Sequence, residues 1–360
     1  MLQNRFVRSA TWEGMCDNDG RPTPRLADCY RELAAGGIGL IITGYAFVRP
    51  DGRQLPGKMG IHSDDFAAEM RALTEAVHDE GGRICMQLVH AGGQTTTKTA
   101  GRRPFGPSAV KVEQFPEEPE AMRKEDIDEV VAAFGEGARR AKAYGFDAVQ
   151  LHAAHGYLIN QFLSPLTNRR PDNYGGSVEN RCRFLLEVYR RVRSAVGPDF
   201  PVLVKLNGSD NLEGGLVLGD AVYASRLLDE EKIDAIEVSG GTSASGENTP
   251  VRIKIDNPDR EAYNLALARE IKKAVRCPIM VVGGFRSLEV IDKALREDGI
   301  DYISMARPFI REPKLIKRWK EGDCSPARCI SCNGCFKPGL KEGGIYCVVE
   351  KKEAQKRATD

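Results

Sequence analysis

Residues 278–308, PIMVVGGFRSLEVIDKALREDGIDYISMARP, hold two short apolar runs separated by a helical stretch. Neither run alternates apolar with polar residues, as expected of parallel strands buried on both faces. Gly283-Gly284-Phe285-Arg286 follows the first run and Ala306-Arg307-Pro308 the second. Backbone N–H groups freed by glycines, a helix amino end and a guanidinium together suit a phosphate, although a Gly-Gly pair alone is no more than a tight turn. Six similar runs precede these, at 5–10 (RFVRSA), 37–43 (GIGLIIT), 84–90 (ICMQLVH), 147–152 (DAVQLH), 201–206 (PVLVKL) and 235–239 (AIEVS), with helical stretches between them. Eight strand–helix repeats fit an α/β fold, either a closed (β/α)8 TIM barrel or a doubly wound open sheet. In a barrel, working residues gather at the carboxyl ends of the strands, and a phosphate commonly binds after strands seven and eight. His90, His152, Lys205, Ser239 to Thr242, Gly283 to Arg286 and Arg307 all fall at such ends, which favours the barrel.

The intervening helices show their own period. Ile127, Val130, Val131, Phe134, Ala138 and Ala141 make one apolar stripe over Asp126 to Tyr144, and Phe184, Val188, Val192 and Val196 make another. Residues 91–123, rich in Gly, Thr, Pro and charge, form a long excursion of the kind that serves as a lid or binding loop. The 52 lysines and arginines nearly balance 51 aspartates and glutamates. That balance predicts no bulk attraction to nucleic acid or to an anionic membrane, and leaves small molecules or proteins as partners. There is no apolar run of roughly 20 residues and no basic-then-apolar leader, so a cytoplasmic protein is expected.

Three constellations carry chemistry. His152-Ala153-Ala154-His155-Gly156-Tyr157 begins where a strand ends. Two imidazoles can polarise a carbonyl and a phenol can deliver a proton to the adjacent carbon; alternatively the histidines are zinc ligands or structural donors. Gln87 and Lys205, on strands three and five, would lie in or over the barrel mouth. A lysine there needs negative charge, from a reduced flavin or from a barrel carboxylate. The third is Cys329, Cys332, Cys335 and Cys347, a C-x2-C-x2-C-x11-C run near the carboxyl end. Its spacing suits a [4Fe–4S] cluster, with four-thiolate zinc or an unoccupied thiol group as alternatives. Cys324 is a bystander, and the remaining five of the ten cysteines show no pairing rhythm and are expected as free or buried thiols.

Asn4-Arg5-Phe6, Gln87 to Gly92, His152 to Pro165 and above all Arg169 to Arg183 (RRPDNYGGSVENRCR) resemble the Old Yellow Enzyme family of FMN oxidoreductases, in order, over residues 4 to about 320. The resemblance implies FMN binding by Ala10, Thr11, Gly44, Gln87, Lys205, Gly283, Gly284, Ala306 and Arg307. It further implies that His152 and His155 hold the substrate's activating group and that Tyr157 is the proton donor. The implied activity is reduction of the C=C bond of an α,β-unsaturated carbonyl or enoyl thioester by NAD(P)H. An amine dehydrogenase or demethylase using the cluster as an electron exit is the alternative within the family, and a phosphate-binding aldolase or isomerase using Lys205 the alternative outside it. Departures are Trp12, where many relatives place threonine or cysteine, Lys205 in place of arginine, and a start almost at the first strand without the usual amino-terminal hairpin. The cysteine spacing resembles that of longer members similar to 2,4-dienoyl-CoA reductase and trimethylamine dehydrogenase. The expected organisation is an FMN-binding barrel over 1–322, a cysteine-rich segment over 323–350 and a solvated charged tail over 351–360. Expected partners are an electron-transfer protein or NAD(P)H-oxidising subunit, and further copies of the chain in a homo-oligomer.

Overall fold

Eight parallel strands pair in chain order and the last returns to the first in the computed structural model, which describes residues 2–359. They are β1 (Phe6–Arg8), β2 (Leu40–Ile42), β3 (Ile84–Val89), β4 (Ala148–Ala153), β5 (Val202–Asn207), β6 (Ala235–Ser239), β7 (Ile279–Val282) and β8 (Tyr302–Met305). Closure is made where Phe6 to Arg8 pair with Ile303 to Met305 and where Ile41 and Ile42 pair with Ile84 and Cys85. The fold is therefore the closed TIM barrel, not the open sheet. Each expected run contains its strand or falls one residue short of it.

Inside the barrel, side chains stack in layers, because alternate residues of each strand point inward. The floor is apolar: Val7, Leu40, Ile42, Cys85, Ala148, Leu203, Ala235 and Met280 form one buried cluster, with Tyr302 against it. Above it lies a polar layer of Gln87, Gln150, Lys205, Glu237 and Ser304, all buried. The period-two register that puts Gln150 and His152 on one face of β4, and Lys205 and Asn207 on one face of β5, lifts the chemistry toward the carboxyl end.

Helices α1 (Pro24–Ala35), α2 (Ala67–His78), α3 (Lys124–Ala143), α4 (Val178–Val196), α5 (Leu218–Glu230), α6 (Leu265–Ala274) and α7 (Leu288–Arg296) cover the outside. The stripe of α3 buries Ile127, Val130, Phe134, Ala138 and Ala141 as its spacing predicts. The helix starts two residues earlier than the stripe because Arg123 N–H donates to Asp126 Oδ2 at 2.8 Å, closing the first turn. Four short helices follow β8: α8 (Arg307–Arg311), α9 (Leu315–Lys320), α10 (Phe336–Lys341) and α11 (Val348–Thr359). The tail from Lys351 is solvent-exposed as expected but helical, since it contains no Gly or Pro, and Glu353 pairs with Arg311 at 2.7 Å.

Two short strands, Ala46–Phe47 and Met59–Gly60, extend the sheet beside β3 and bring residues 45–60 to the mouth. The 91–123 excursion packs down as well. Phe105 and Phe115 are buried, and the His90 ring stacks on Phe105 with centroids 5.1 Å apart. Among the described residues no helix is long and apolar enough to cross a membrane.

Candidate active site

The polar layer is one continuous hydrogen-bonded network. Gln87 Nε2 donates to Gln150 Oε1 at 2.7 Å, and Gln150 Nε2 donates to Glu237 Oε2 at 2.8 Å. Ser9 Oγ donates to Glu237 Oε1 at 2.7 Å, and Lys205 Nζ donates to Ser9 Oγ at 2.8 Å while lying 3.3 Å from Glu237 Oε2. The charge that Lys205 requires is thus met by a barrel carboxylate. Glu237 and Gln150 escaped the sequence reading, although each is the lone polar residue in the middle of an apolar strand and shares a face with Ser239 or His152.

Above this layer stand the three residues of the strand-four motif. The His152 ring lies 4.6 Å from that of Tyr157 and 5.1 Å from that of His155, centroid to centroid. His155 occupies the left-handed region at φ 61°, a conformation costly for a non-glycine residue and found where a site constrains the backbone. Its Nε2 lies 2.7 Å from Ser239 Oγ, and its N–H donates to Asn207 Oδ1 at 3.3 Å. Tyr157 donates to Gln54 Oε1 at 2.9 Å, and Tyr45 donates to the same oxygen at 2.6 Å.

Burial, followed by the charge of neighbouring groups including Lys205, holds both histidines well below the ordinary imidazole value, so both are neutral at pH 7 and each keeps one N–H donor. Burial also pushes the Tyr157 phenol up to about 12, keeping its proton in place across the neutral range. The histidine shifts have a measurable sign. An imidazole whose folded-state value is lowered takes up its proton first in the unfolded chain, so stability falls as pH drops through roughly 6.5. Urea titrations at pH 7.5 and 5.5 should show about 1 kcal/mol lost per imidazole, and a His152→Asn/His155→Asn variant should lose this part of the pH dependence.

The expected flavin-binding positions fall into three groups around the mouth. Ala10 is followed by Thr11, whose carbonyl oxygen lies against Gly44. The Gly44 N–H donates to Glu13 Oε1 at 3.1 Å, Arg8 Nη2 donates to the same carboxylate at 2.7 Å, and a Cβ on Gly44 would sit 2.2 Å from Glu13 Oε2. Gln87 and Lys205 form the floor. Gly283 and Gly284 follow β7; Gly284 has φ +78°, a conformation that favours glycine, and a Cβ there would strike the Tyr263 ring at 2.9 Å. Ser304 Oγ, on β8, and Asn264 Oδ1, beside β7, are buried without hydrogen-bond partners. Glycine backbone at the strand ends, orphaned buried polar atoms and the Lys205–Glu237 pair fit a phosphorylated polar ring system.

Two arginines behave differently from the sequence reading. Arg286 donates to Ile255 O and Ala327 O, so its guanidinium is not free at the cradle. Arg307, just past Ala306 at the start of α8, donates to Arg252 O and Asn333 Oδ1, each at 2.7 Å, and reaches over to the cysteine segment. Cys329, Cys332, Cys335 and Cys347 line one cavity of about 20 Å³ with Arg307 and Arg311. Yet among the described residues no group of three or more His, Cys, Asp or Glu is arranged to hold a single metal ion. Cys324 is exposed and apart, and all ten cysteines are free thiols.

The Arg169 to Arg183 stretch does not touch the mouth. Arg170 donates to Pro107 O and Met122 O, Asn168 to Phe162 O and Tyr174 O, and Arg181 to Leu163 O and Asp220 Oδ2. It is a structural knot that pins the 91–123 excursion to α4.

Residues 1–324 match the NADH:flavin oxidoreductase / NADH oxidase family. The chain is 38% identical over 342 residues to an NADH oxidase of Thermoanaerobacter brockii, covering 93% of this chain and 52% of that protein. It is 36% identical over 313 residues to an NADPH dehydrogenase of Geobacillus sp. (strain WCH70), covering 87% and 88%. The solved complex of 2-naphthoyl-CoA reductase with 2-naphthoyl-CoA superposes with a TM-score of 0.88 at 30% identity, over 97% of this chain and 55% of that one. The chain spans about half the length of the NADH oxidase and of the 2-naphthoyl-CoA reductase.

Proposed function

Because the chain belongs to the NADH:flavin oxidoreductase / NADH oxidase family, we propose that it uses NAD(P)H and FMN to reduce the C=C bond of an α,β-unsaturated carbonyl or enoyl thioester. The observation that carries this reading is the convergence of His152, His155 and Tyr157 over the polar layer of the barrel. FMN, when bound, supplies the two-electron relay between NAD(P)H and the acceptor. Gly283, Gly284 and Ala306, with Arg307 through its backbone N–H at the start of α8, would hold its phosphate, and Ala10, Thr11, Gly44, Gln87 and Lys205 its ring. The neutral imidazoles of His152 and His155 donate N–H groups to the acceptor's carbonyl oxygen, drawing electron density from the β-carbon. Tyr157 keeps a proton poised for the α-carbon. Lys205 is a poor Schiff-base nucleophile, since Ser9 and Glu237 hold its ammonium, which argues against an aldolase.

The four cysteines around one cavity would hold a [4Fe–4S] cluster. The C-x2-C-x2-C-x11-C spacing supports a cluster, because a short loop can take three of its corners, and Arg307 and Arg311 border the same cavity. An electron-transfer protein or NAD(P)H-oxidising subunit would exchange electrons with that cluster, and the chain would assemble as a homo-oligomer. Anaerobically purified protein should be yellow-brown and carry about four iron atoms per chain, and Cys335→Ser should lose the iron. NAD(P)H should bleach the flavin and an enoyl thioester should restore it. Bleaching by amines but not by NAD(P)H would replace alkene reduction with amine oxidation.

A further inference from the structure

Lys58 is buried, and among the described residues its ammonium makes no hydrogen bond and no ion pair. It lies 4.0 Å above the centroid of the Tyr45 ring and 5.1 Å from that of Trp12. These two rings flank the expected flavin cradle, Trp12 following Ala10 and Thr11, and Tyr45 following Gly44. The third neighbour is the chemistry itself, since the Tyr45 ring stands 5.1 Å from Tyr157 and 6.2 Å from His152, and Lys58 is among the charges that hold His152 neutral.

Two other buried cations around the mouth are already paired. Lys205 pairs with Glu237 at 3.3 Å and Arg8 with Glu13 at 2.7 Å, while both histidines are neutral. Lys58 has no such partner among the described residues. The titratable groups that face Lys58 are Glu13 and Cys16, together with His152 across the mouth; Glu13 is already committed to Arg8, and burial keeps the Cys16 thiol protonated. Burial outweighs Glu13 and lowers the Lys58 ammonium to about 7, so the lysine is poised to gain or lose its proton at neutral pH.

We propose that Lys58 is the counter-ion for the negative charge that the mouth acquires when NAD(P)H delivers a hydride to the bound flavin. Hydride transfer moves one hydrogen nucleus and two electrons from the nicotinamide, which leaves as NAD(P)+, so the site gains a net charge of minus one. Above pH 7 an unprotonated Lys58 takes one further proton from solvent, and the pair is then neutral. Lys205 already faces Glu237 at 3.3 Å, so its charge is matched before any hydride arrives. Cation–π contacts with Tyr45 and Trp12 stabilise Lys58 only modestly, by about 0.5–2 kcal/mol, and leave its charge unmatched until an anion arrives.

This inference rests on the proposed flavin chemistry, and the experiment separates the two. The midpoint potential of the FMN-loaded protein is measured from pH 6 to 10 for wild type, Lys58→Met and Lys58→Arg. Wild type should take up two protons per two electrons above pH 7. Lys58→Met, whose stem retains the aromatic packing, should take up one and should be at least tenfold harder to reduce at pH 7. Lys58→Arg should restore easy reduction while taking up one proton, because its charge is permanent. Should Lys58→Met not fold, ¹³C-methylated wild-type protein carries the test, as one lysine should titrate near pH 7 when oxidised and bind its proton at least tenfold more tightly once reduced. An unchanged potential and proton count in Lys58→Met, or a lysine indifferent to reduction, overturns the inference alone. So does an unchanged potential with a raised KM for carboxylate acceptors, which would assign Lys58 to the substrate. A chain that takes up no FMN overturns both the inference and the proposed function.

Discussion

Tyr157→Phe should slow alkene reduction by roughly 10² to 10⁴ while leaving flavin reduction by NAD(P)H near normal, the usual size of a lost general acid and worth about 3–5 kcal/mol of barrier. The substitution removes one oxygen and keeps the ring, so the contacts with His152 at 4.6 Å and Tyr45 at 5.1 Å survive. Gln54 Oε1, which accepts from both phenols, keeps Tyr45 as its donor. Nothing buried is orphaned, and a broad structural loss is not expected. Anaerobic stopped-flow measurement of the two half-reactions checks the result. Equal slowing of both would mean that Tyr157 shapes the pocket rather than donating a proton.

The second large effect concerns stability. Glu237 is fully buried and receives Ser9, Gln150 and Lys205 at once. Glu237→Leu leaves a buried ammonium with one hydroxyl partner and frees a Gln150 donor, so about 3–5 kcal/mol of unfolding free energy should be lost. Adding Lys205→Met removes the uncompensated charge and should recover most of that loss. Urea unfolding of the two single variants and the double variant forms the cycle that measures this coupling. Additive losses would mean that Lys205 and Glu237 do not act as a pair. The same network fixes the position of Lys205 through Glu237 and Ser9.

Much of this protein was legible in one dimension. Eight apolar runs of strand length at barrel spacing are a local property, because a strand buried on both faces must be apolar along its length. The motif from His152 to Tyr157 was legible for the same reason. It is contiguous, and the end of β4 brings its three side chains to one place, where Ser239, Asn207 and Gln54 hold them. The four cysteines were contiguous enough to be read as one group, and they do line one cavity.

Closure of the sheet, the partners of Lys205 and the surroundings of Tyr157 depended on tertiary structure. The run over 301–306 looks the same whether it edges an open sheet or returns to Phe6, and only the pairing of Ile303 to Met305 with Phe6 to Arg8 distinguishes them. Ser9 and Glu237 are separated by 228 positions yet share a hydrogen bond of 2.7 Å. Tyr45, Gln54 and Lys58 sit in an irregular stretch without periodicity, so no pattern marks them. They reach the mouth because Ala46 and Phe47 pair with Leu88 and Val89. Polar and charged side chains in a barrel acquire their roles from whichever groups the shear of the strands sets beside them, and that arrangement exists only once the chain has closed.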